Sequence, residues 1–213
     1  MNKMKILVDN GHGADNYTNG KYSPIVDGMS IESDATVYDH RFREGNFNRL
    51  VAAELVTRLR DLGYDAERIV PEDKDVSLIE RVDRVNGWCK KLGKNNVLFI
   101  SVHANAAGCC EKWMYARGFT VWIAKQASAK SINLAQSITA AAIDAGLMGN
   151  RCVPAEHCWR ADFYVLKHTL CPAVLTENLF YDNRDDLKII ASPAGREKIV
   201  QLHVNAIKNY LNG

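Results

Sequence analysis

The chain has 213 residues, 47% of them hydrophobic and 24% charged, a composition typical of a globular protein with a substantial core. Lysine and arginine total 27 against 25 aspartate and glutamate, and a net charge of +2 excludes the large basic excess of a polyanion-coating protein. We therefore expect no nucleic-acid partner. No apolar run approaches the roughly 20 residues of a membrane-spanning helix, so we expect no membrane span.

The first half of the chain alternates between strand and helix patterns. Residues 5–10 (KILVDN) form a short apolar run that ends at Gly11 and predict a buried strand. Residues 11–43 are rich in Gly, Asn, Asp and Ser and predict a long loop. The elements predicted next are a helix from Glu44 that stops at Gly63, a strand over 64–70 and a helix over 76–92.

The second half continues the alternation. Strands are predicted over residues 97–102, 119–124, 163–166 and 173–176. Helices are predicted over residues 128–145, with Ser128 as the cap, and from Pro193 onward. This order predicts an α/β fold with a largely parallel sheet. Neither a linker nor a repeat interrupts it, so we expect one domain over residues 1–213.

The N-terminal residues indicate how the chain could be exported, and the cysteine spacing indicates the redox state of the thiols. Residues 1–9 lack the apolar stretch and cleavage site of a signal peptide. We expect either a mature fragment or a chain that leaves its cell without a signal. Six scattered cysteines form no CxxC pair, so we expect reduced thiols, although Cys152 and Cys158 are close enough in sequence for one disulfide.

Polar residues with metal-binding chemistry follow the predicted strands. His12 follows the first strand, His103 follows the strand over 97–102, and Glu177 follows the last strand. Functional sites gather at the carboxyl ends of parallel strands, and the long loop could bring Glu44 to the same edge. Two imidazoles and a carboxylate bind zinc and leave a fourth position for water. A second carboxylate could then exchange the proton.

Several other interpretations of these residues stay open. A histidine after a strand is often a hydrogen-bonded loop residue, and Glu44 could simply favour the start of a helix. The Gly11-His12-Gly13 sequence could be half of a dinucleotide-binding loop, but the third glycine is missing at Asn16. His40 is a rival ligand, and the vicinal pair Cys109 and Cys110 could hold a catalytic thiol near His103.

The motifs in this order resemble one family, the zinc-dependent N-acetylmuramoyl-L-alanine amidases of bacterial cell-separation enzymes, spore cortex hydrolases and phage endolysins. The resemblance is carried by residues 6–13, 43–48, 78–86, 99–106, 163–167 and 172–180. It departs at Asn10, where a proline is usual, at Leu179, where a glycine is usual, and in a longer loop over residues 14–43.

The resemblance implies a single α/β domain, a twisted mostly parallel sheet with helices on both faces, and we expect a monomer with no cell-wall-binding module. The implied reaction is hydrolysis of the amide between N-acetylmuramic acid and L-alanine of the peptidoglycan stem peptide. It implies that His12, Glu44 and His103 bind Zn²⁺ and that Glu177 is the general base. Asn105 would help to shape the substrate site. The site of action would be the cell wall, in the periplasm or outside the cell, with phage-type release as one route.

Two rival functions use the same residues. A metallo-exopeptidase would hydrolyse free peptides that lack sugar, since the same groups can cleave any amide. A catalytically dead homologue would only bind the cell wall, and the presence of all four chemical residues argues against it.

Overall fold

A six-stranded sheet organises the chain in the computed structural model, which describes residues 4–14, 18–29, 36–108 and 111–212. The strands are β1 (Lys5–Asn10), β2 (Val37–Tyr38), β3 (Arg41–Phe42), β4 (Asp65–Arg68), β5 (Val97–Asn105), β6 (Thr120–Ile123), β7 (Trp159–Arg160) and β8 (Ala173–Phe180). The helices are α1 (Glu44–Asp61), α2 (Leu78–Leu92), α3 (Ala129–Asp144), α4 (Tyr164–Lys167), α5 (Arg184–Ile190) and α6 (Pro193–Asn212).

The sheet is mostly parallel and has the strand order β4-β1-β5-β8-β6-β7. Strands β4, β1, β5 and β8 run parallel, β6 runs antiparallel to β8, and β7 runs parallel to β6. Strands β2 and β3 form a separate hairpin within the segment predicted as a loop. The predicted fold class is confirmed, and the carboxyl ends of β1, β5 and β8 lie side by side.

Helices pack on both faces of this sheet because alternate strand residues are apolar on each side. Helices α1, α3 and α6 cover one face, where Ile6 and Val8 of β1 are fully buried. Helices α2 and α4 cover the other face, which includes Leu7 and Phe99. In the described part of the chain, no helix has the length and apolar character needed to cross a bilayer.

Most predicted elements are present, but residues 163–166 are not a strand. They overlap the single helical turn α4, which buries Val165 and Leu166 against α2. The side chain of Asn86 on α2 fixes the following segment, because its amide group donates to His168 O and accepts from Leu170 N. Apolar residues favour a strand in sequence, but here packing on α2 decides the conformation.

Other elements differ in extent from their prediction. Strand β5 runs to Asn105 and β8 to Phe180, so His103 and Glu177 lie within strands rather than after them. Strand β7 and helix α5 were not predicted, because each is short. The caps agree with the sequence, since Ser128 accepts a hydrogen bond from Ser131 N. Cys152 and Cys158 are both free thiols.

A buried histidine links α6 to the sheet. His203 is fully buried, its Nδ1 lies 2.8 Å from the carbonyl oxygen of Ile199, and its Nε2 lies 3.1 Å from Thr176 Oγ1 on β8. These partners assign the proton to Nδ1, which donates to the carbonyl, so the Thr176 hydroxyl donates to Nε2. Burial lowers the pKa of His203 to about 4, and the ring is neutral in the folded protein near pH 7.

This histidine should make stability depend on pH. The unfolded chain binds a proton near the ordinary pKa of 6.5, whereas the folded chain does so only near 4. Stability is therefore lost as pH falls through that window, by about 2–3 kcal/mol at pH 4.5 relative to pH 7. Urea unfolding at both pH values measures the loss. The His203→Gln variant should lose correspondingly less between the two pH values, and an equal loss would contradict this assignment.

Candidate metal centre and active site

Three side chains converge at the edge of the sheet. His12 follows β1, Glu44 is the first residue of α1, and His103 lies near the end of β5. One potential ligand atom from each lies within 4.8 Å of the others. Glu44 Oε1 is 3.0 Å from His103 Nδ1 and 3.4 Å from His12 Nε2. The structure thus brings together the three predicted ligands, while the bound ion itself stays a prediction.

The donor set fits a divalent cation such as zinc. Glu44 is 1% exposed, and its second oxygen, Oε2, has no hydrogen-bond partner among the described residues. Burial opposes ionisation, but the charge of His12 and the hydrogen bonds from both imidazoles hold the pKa of Glu44 well below its usual range. Two imidazoles and an ionised carboxylate are a ligand set that leaves a coordination position open.

A second carboxyl group lies beside this cluster, on a half-buried residue that lines the cavity. Glu177 on β8 pairs directly with His103 on β5, and its Oε2 also lacks a hydrogen-bond partner within the described residues. Burial raises the pKa of Glu177 to about 8, while the charges of His103 and Lys21 oppose that rise and the charge of Glu44 adds to it. The carboxyl group of Glu177 therefore keeps its proton to a higher pH than an ordinary glutamate does.

Two glycines allow the close approach that the cluster requires. A Cβ atom on Gly11 would overlap the imidazole ring of His103. A Cβ atom on Gly45 would overlap the carbonyl oxygen of Gly13, where the first turn of α1 crosses the loop after β1. Backbone without side chains therefore lets β1, β5 and α1 meet at one point.

Two arginines, which sequence reasoning did not identify, support the loop that carries His12. His12 has φ of +66°, an uncommon conformation for a residue with a Cβ. Arg49 of α1 donates to the His12 carbonyl at 2.8 Å, and Arg81 of α2 donates to the Asn10 carbonyl at 2.8 Å. Arg81 also forms a buried ion pair with Asp9. In the sequence, Arg81 lies four residues before Val85, which indicates that this arginine is on the buried face of α2.

The other candidate residues lie elsewhere. Asn105 accepts a hydrogen bond from Ala106 N and is not among the described residues that line the cavity at the cluster, so its role with substrate stays a prediction. His40 is exposed and pairs with Asp27 at 2.8 Å, outside the cluster. Cys109 and Cys110 lie outside the described residues.

A cavity of about 500 Å³ opens over the cluster. Gly11, His12, His103 and Glu177 form its floor together with Leu175. Polar groups, among them Thr18, Lys21, Asp75 and Arg81, line part of its wall, and Phe163, Tyr164 and Val165 line another part. The arrangement provides a pocket in which a polar bond can reach the imidazoles and Glu177 together.

Comparisons with known proteins point to one family. A family model described as N-acetylmuramoyl-L-alanine amidase matches residues 6–209. The chain is 28% identical over 143 residues to N-acetylmuramoyl-L-alanine amidase CwlM of Bacillus licheniformis, covering 66% of this chain and 48% of the relative. It is 24% identical over 212 residues to a sporulation-specific N-acetylmuramoyl-L-alanine amidase of Bacillus subtilis (strain 168), covering 98% of this chain and 69% of the relative.

A solved structure has the same fold. The N-acetylmuramoyl-L-alanine amidase from Clostridium difficile 630 superposes with a TM-score of 0.76 at 20% identity, covering 100% of this chain and 99% of that one. The chain thus spans about half to two thirds of the curated relatives named above and nearly the full length of this structure.

Because Gly11 lies against the His103 ring, we expect a side chain at position 11 to weaken metal binding without unfolding the chain. Gly11→Ala should displace the His103 ring and weaken zinc binding at least tenfold, measured by competition with a chelator and by elemental analysis. Gly87→Ala is the matched control, because a Cβ there has no heavy atom within 4 Å. Wild-type zinc affinity in Gly11→Ala, with the fold intact, would remove His103 from the proposed ligand set.

Proposed function

The chain belongs to the N-acetylmuramoyl-L-alanine amidase family, and on this premise we propose that it hydrolyses the amide between N-acetylmuramic acid and L-alanine in peptidoglycan. One observation carries the proposal: His12, Glu44 and His103 converge beside Glu177, and His12, His103 and Glu177 line an open cavity. The substrate is inferred from family membership, and the site contains groups that can hydrolyse an amide.

His12, Glu44 and His103 would hold the zinc ion. When bound, zinc supplies Lewis-acid polarisation of a carbonyl and lowers the pKa of a water molecule. The chain's own contribution is the orientation of these ligands. Arg49 and Arg81 fix the backbone that carries His12, and Glu44 is held at the start of a helix, where the N-terminal dipole favours a carboxylate.

Glu177 moves the proton in this proposal. Its carboxylate accepts a proton from the attacking water and then donates it to the nitrogen of L-alanine as the C–N bond breaks. The hydroxyl of water ends on the lactyl carbonyl carbon, so the products are a carboxyl group and a free amine. A pKa raised by burial supports this role, because an acid–base catalyst works best when its pKa is near the operating pH.

We also propose a site of action and an oligomeric state. Its substrate is the cell wall, so the site of action lies there, and endolysin-like release is one way to reach it. The four chemical residues form the site without a residue from a second subunit, and we propose that the chain acts as a monomer.

Glu177→Gln separates proton transfer from metal binding. The amide keeps the shape of the side chain but cannot accept the proton, so zinc content and melting temperature should be retained. The rate of release of alanine amines from purified peptidoglycan should fall by roughly 10²–10⁴-fold. Glu156→Gln is the control, since Glu156 is exposed and pairs with Arg160 away from the cavity.

Other outcomes would contradict parts of the proposal. Near-normal turnover of Glu177→Gln with full zinc would mean that another group is the base. Loss of zinc from Glu177→Gln would make Glu177 a ligand. Mass spectrometry of the muropeptides identifies the bond that wild-type protein cleaves. Cleavage of sugar-free peptides, without cleavage of the muramyl amide, would establish the exopeptidase instead.

A further inference from the structure

The cavity over the metal centre is chemically different toward its two sides. The strand order places the loop after β1, with His12 and Thr18, on one side of His103 and Glu177. On the other side lies β6, beyond β8, and α4 contributes the aromatic rings of Phe163 and Tyr164 to the cavity wall. Hydroxyl and charged groups thus border the loop after β1, and aromatic rings border α4, while Val76 and Leu78 add apolar surface to the wall.

The aromatic side continues beyond the cavity as a connected group of rings. We call Trp122, Trp159 and Phe163 the aromatic platform. The ring of Trp122 lies 5.5 Å from that of Phe163, edge to face, and 6.1 Å from that of Trp159, at a tilt of 36°. Phe163 is 37% exposed, and both tryptophans are partly exposed.

Strand register connects the platform to the catalytic carboxyl group. Thr120 of β6 pairs with Glu177, and Trp122 pairs with Leu175. Directly paired residues of antiparallel strands project from the same face of a sheet, so Trp122 lies on the face that carries Glu177 and the cavity floor. The indole of Trp122 is also fixed in orientation, because its Nε1 donates to Thr120 Oγ1 at 3.0 Å.

The dimensions match those of a sugar linked to the scissile bond. Neighbouring strands are about 5 Å apart, and two residues along a strand span about 7 Å. Trp122 lies one strand and two residues from Glu177. This separation is about the length of one pyranose ring with its linker. Trp159 lies one strand further, beside the position of a second ring.

We propose that the aromatic platform binds the pyranose rings of the glycan strand, which orients the stem peptide toward the polar side near Thr18 and Lys21. This rests on the proposed function, since it takes N-acetylmuramic acid as one side of the scissile amide. The C–H groups on one face of a pyranose carry partial positive charge and pack on the electron-rich face of an aromatic ring. Partly exposed tryptophans that continue from a cavity suit such a ligand.

Two substrates with the same scissile amide test the platform. One is a disaccharide muropeptide, and the other is a synthetic lactyl-peptide without sugar. Trp122→Ala and Trp159→Ala should lower kcat/KM for the sugar-bearing substrate about tenfold and change kcat/KM for the lactyl-peptide less than twofold. Trp88→Ala is the matched control, because Trp88 packs on Lys5 and Lys91 and lies outside the cavity. Equal losses on both substrates, or no loss on either, would overturn the proposal.

A binding measurement tests the platform apart from catalysis. A linear tetrasaccharide of alternating N-acetylglucosamine and N-acetylmuramic acid, without peptide, should quench the tryptophan fluorescence of the full chain. The quench should be lost in Trp122→Ala and partly kept in Trp122→Phe, whose melting temperature verifies folding. An unchanged titration in Trp122→Ala would overturn the proposal. If the tetrasaccharide binds but wild-type protein cleaves neither substrate, the proposed function fails while the sugar site stands.

Discussion

Burial of the Glu44 carboxylate is the constraint on which the site depends. An ionised group removed from water is costly unless other charges and hydrogen bonds compensate for the lost hydration. Here the first turn of α1 places Glu44 beside two imidazoles, one from the loop after β1 and one from β5. The glycines, the arginines around the His12 loop and the ends of two strands bring both imidazoles to one oxygen of a buried carboxylate.

Leu179, at a position where the resembled family usually has glycine, lies at the same edge of the sheet. The pairing of β5 with β8 shifts register between His103 and Asn105, and Leu179 lies in this bulge with φ of +71°. A left-handed conformation costs a residue with a Cβ roughly 1–2 kcal/mol, which explains why glycine is usual here. The leucine is 1% exposed, and its burial contributes about 2 kcal/mol, enough to offset that cost.

The sequence predicted most of the fold because the central strands are continuous apolar runs, as in β1, and the long helices have clear periodicity, as in α1. It failed where tertiary contacts decide the conformation. Residues 163–166 form a helical turn because α2 covers them, and β7 has only two residues, too few for a pattern. The four chemical residues could be proposed from strand ends and the family resemblance. The roles of Arg49, Arg81 and Trp122 could not, because each depends on contacts with residues more than 30 positions away.

Two carboxyl groups on neighbouring elements have opposite ionisation behaviour, and this follows from their surroundings. Burial disfavours the charge on both, but hydrogen bonds from two imidazoles stabilise the charge on Glu44, whereas only the more distant charges of His103 and Lys21 favour the charge on Glu177. The charge on Glu44 then raises the pKa of Glu177 further. Pairs of titratable groups whose surroundings separate their pKa values in this way divide their roles, one as a fixed charge and one as the proton carrier. In the proposed function, Glu44 therefore remains an anion beside His12 and His103, and Glu177, one strand over from His103, gains and loses the proton.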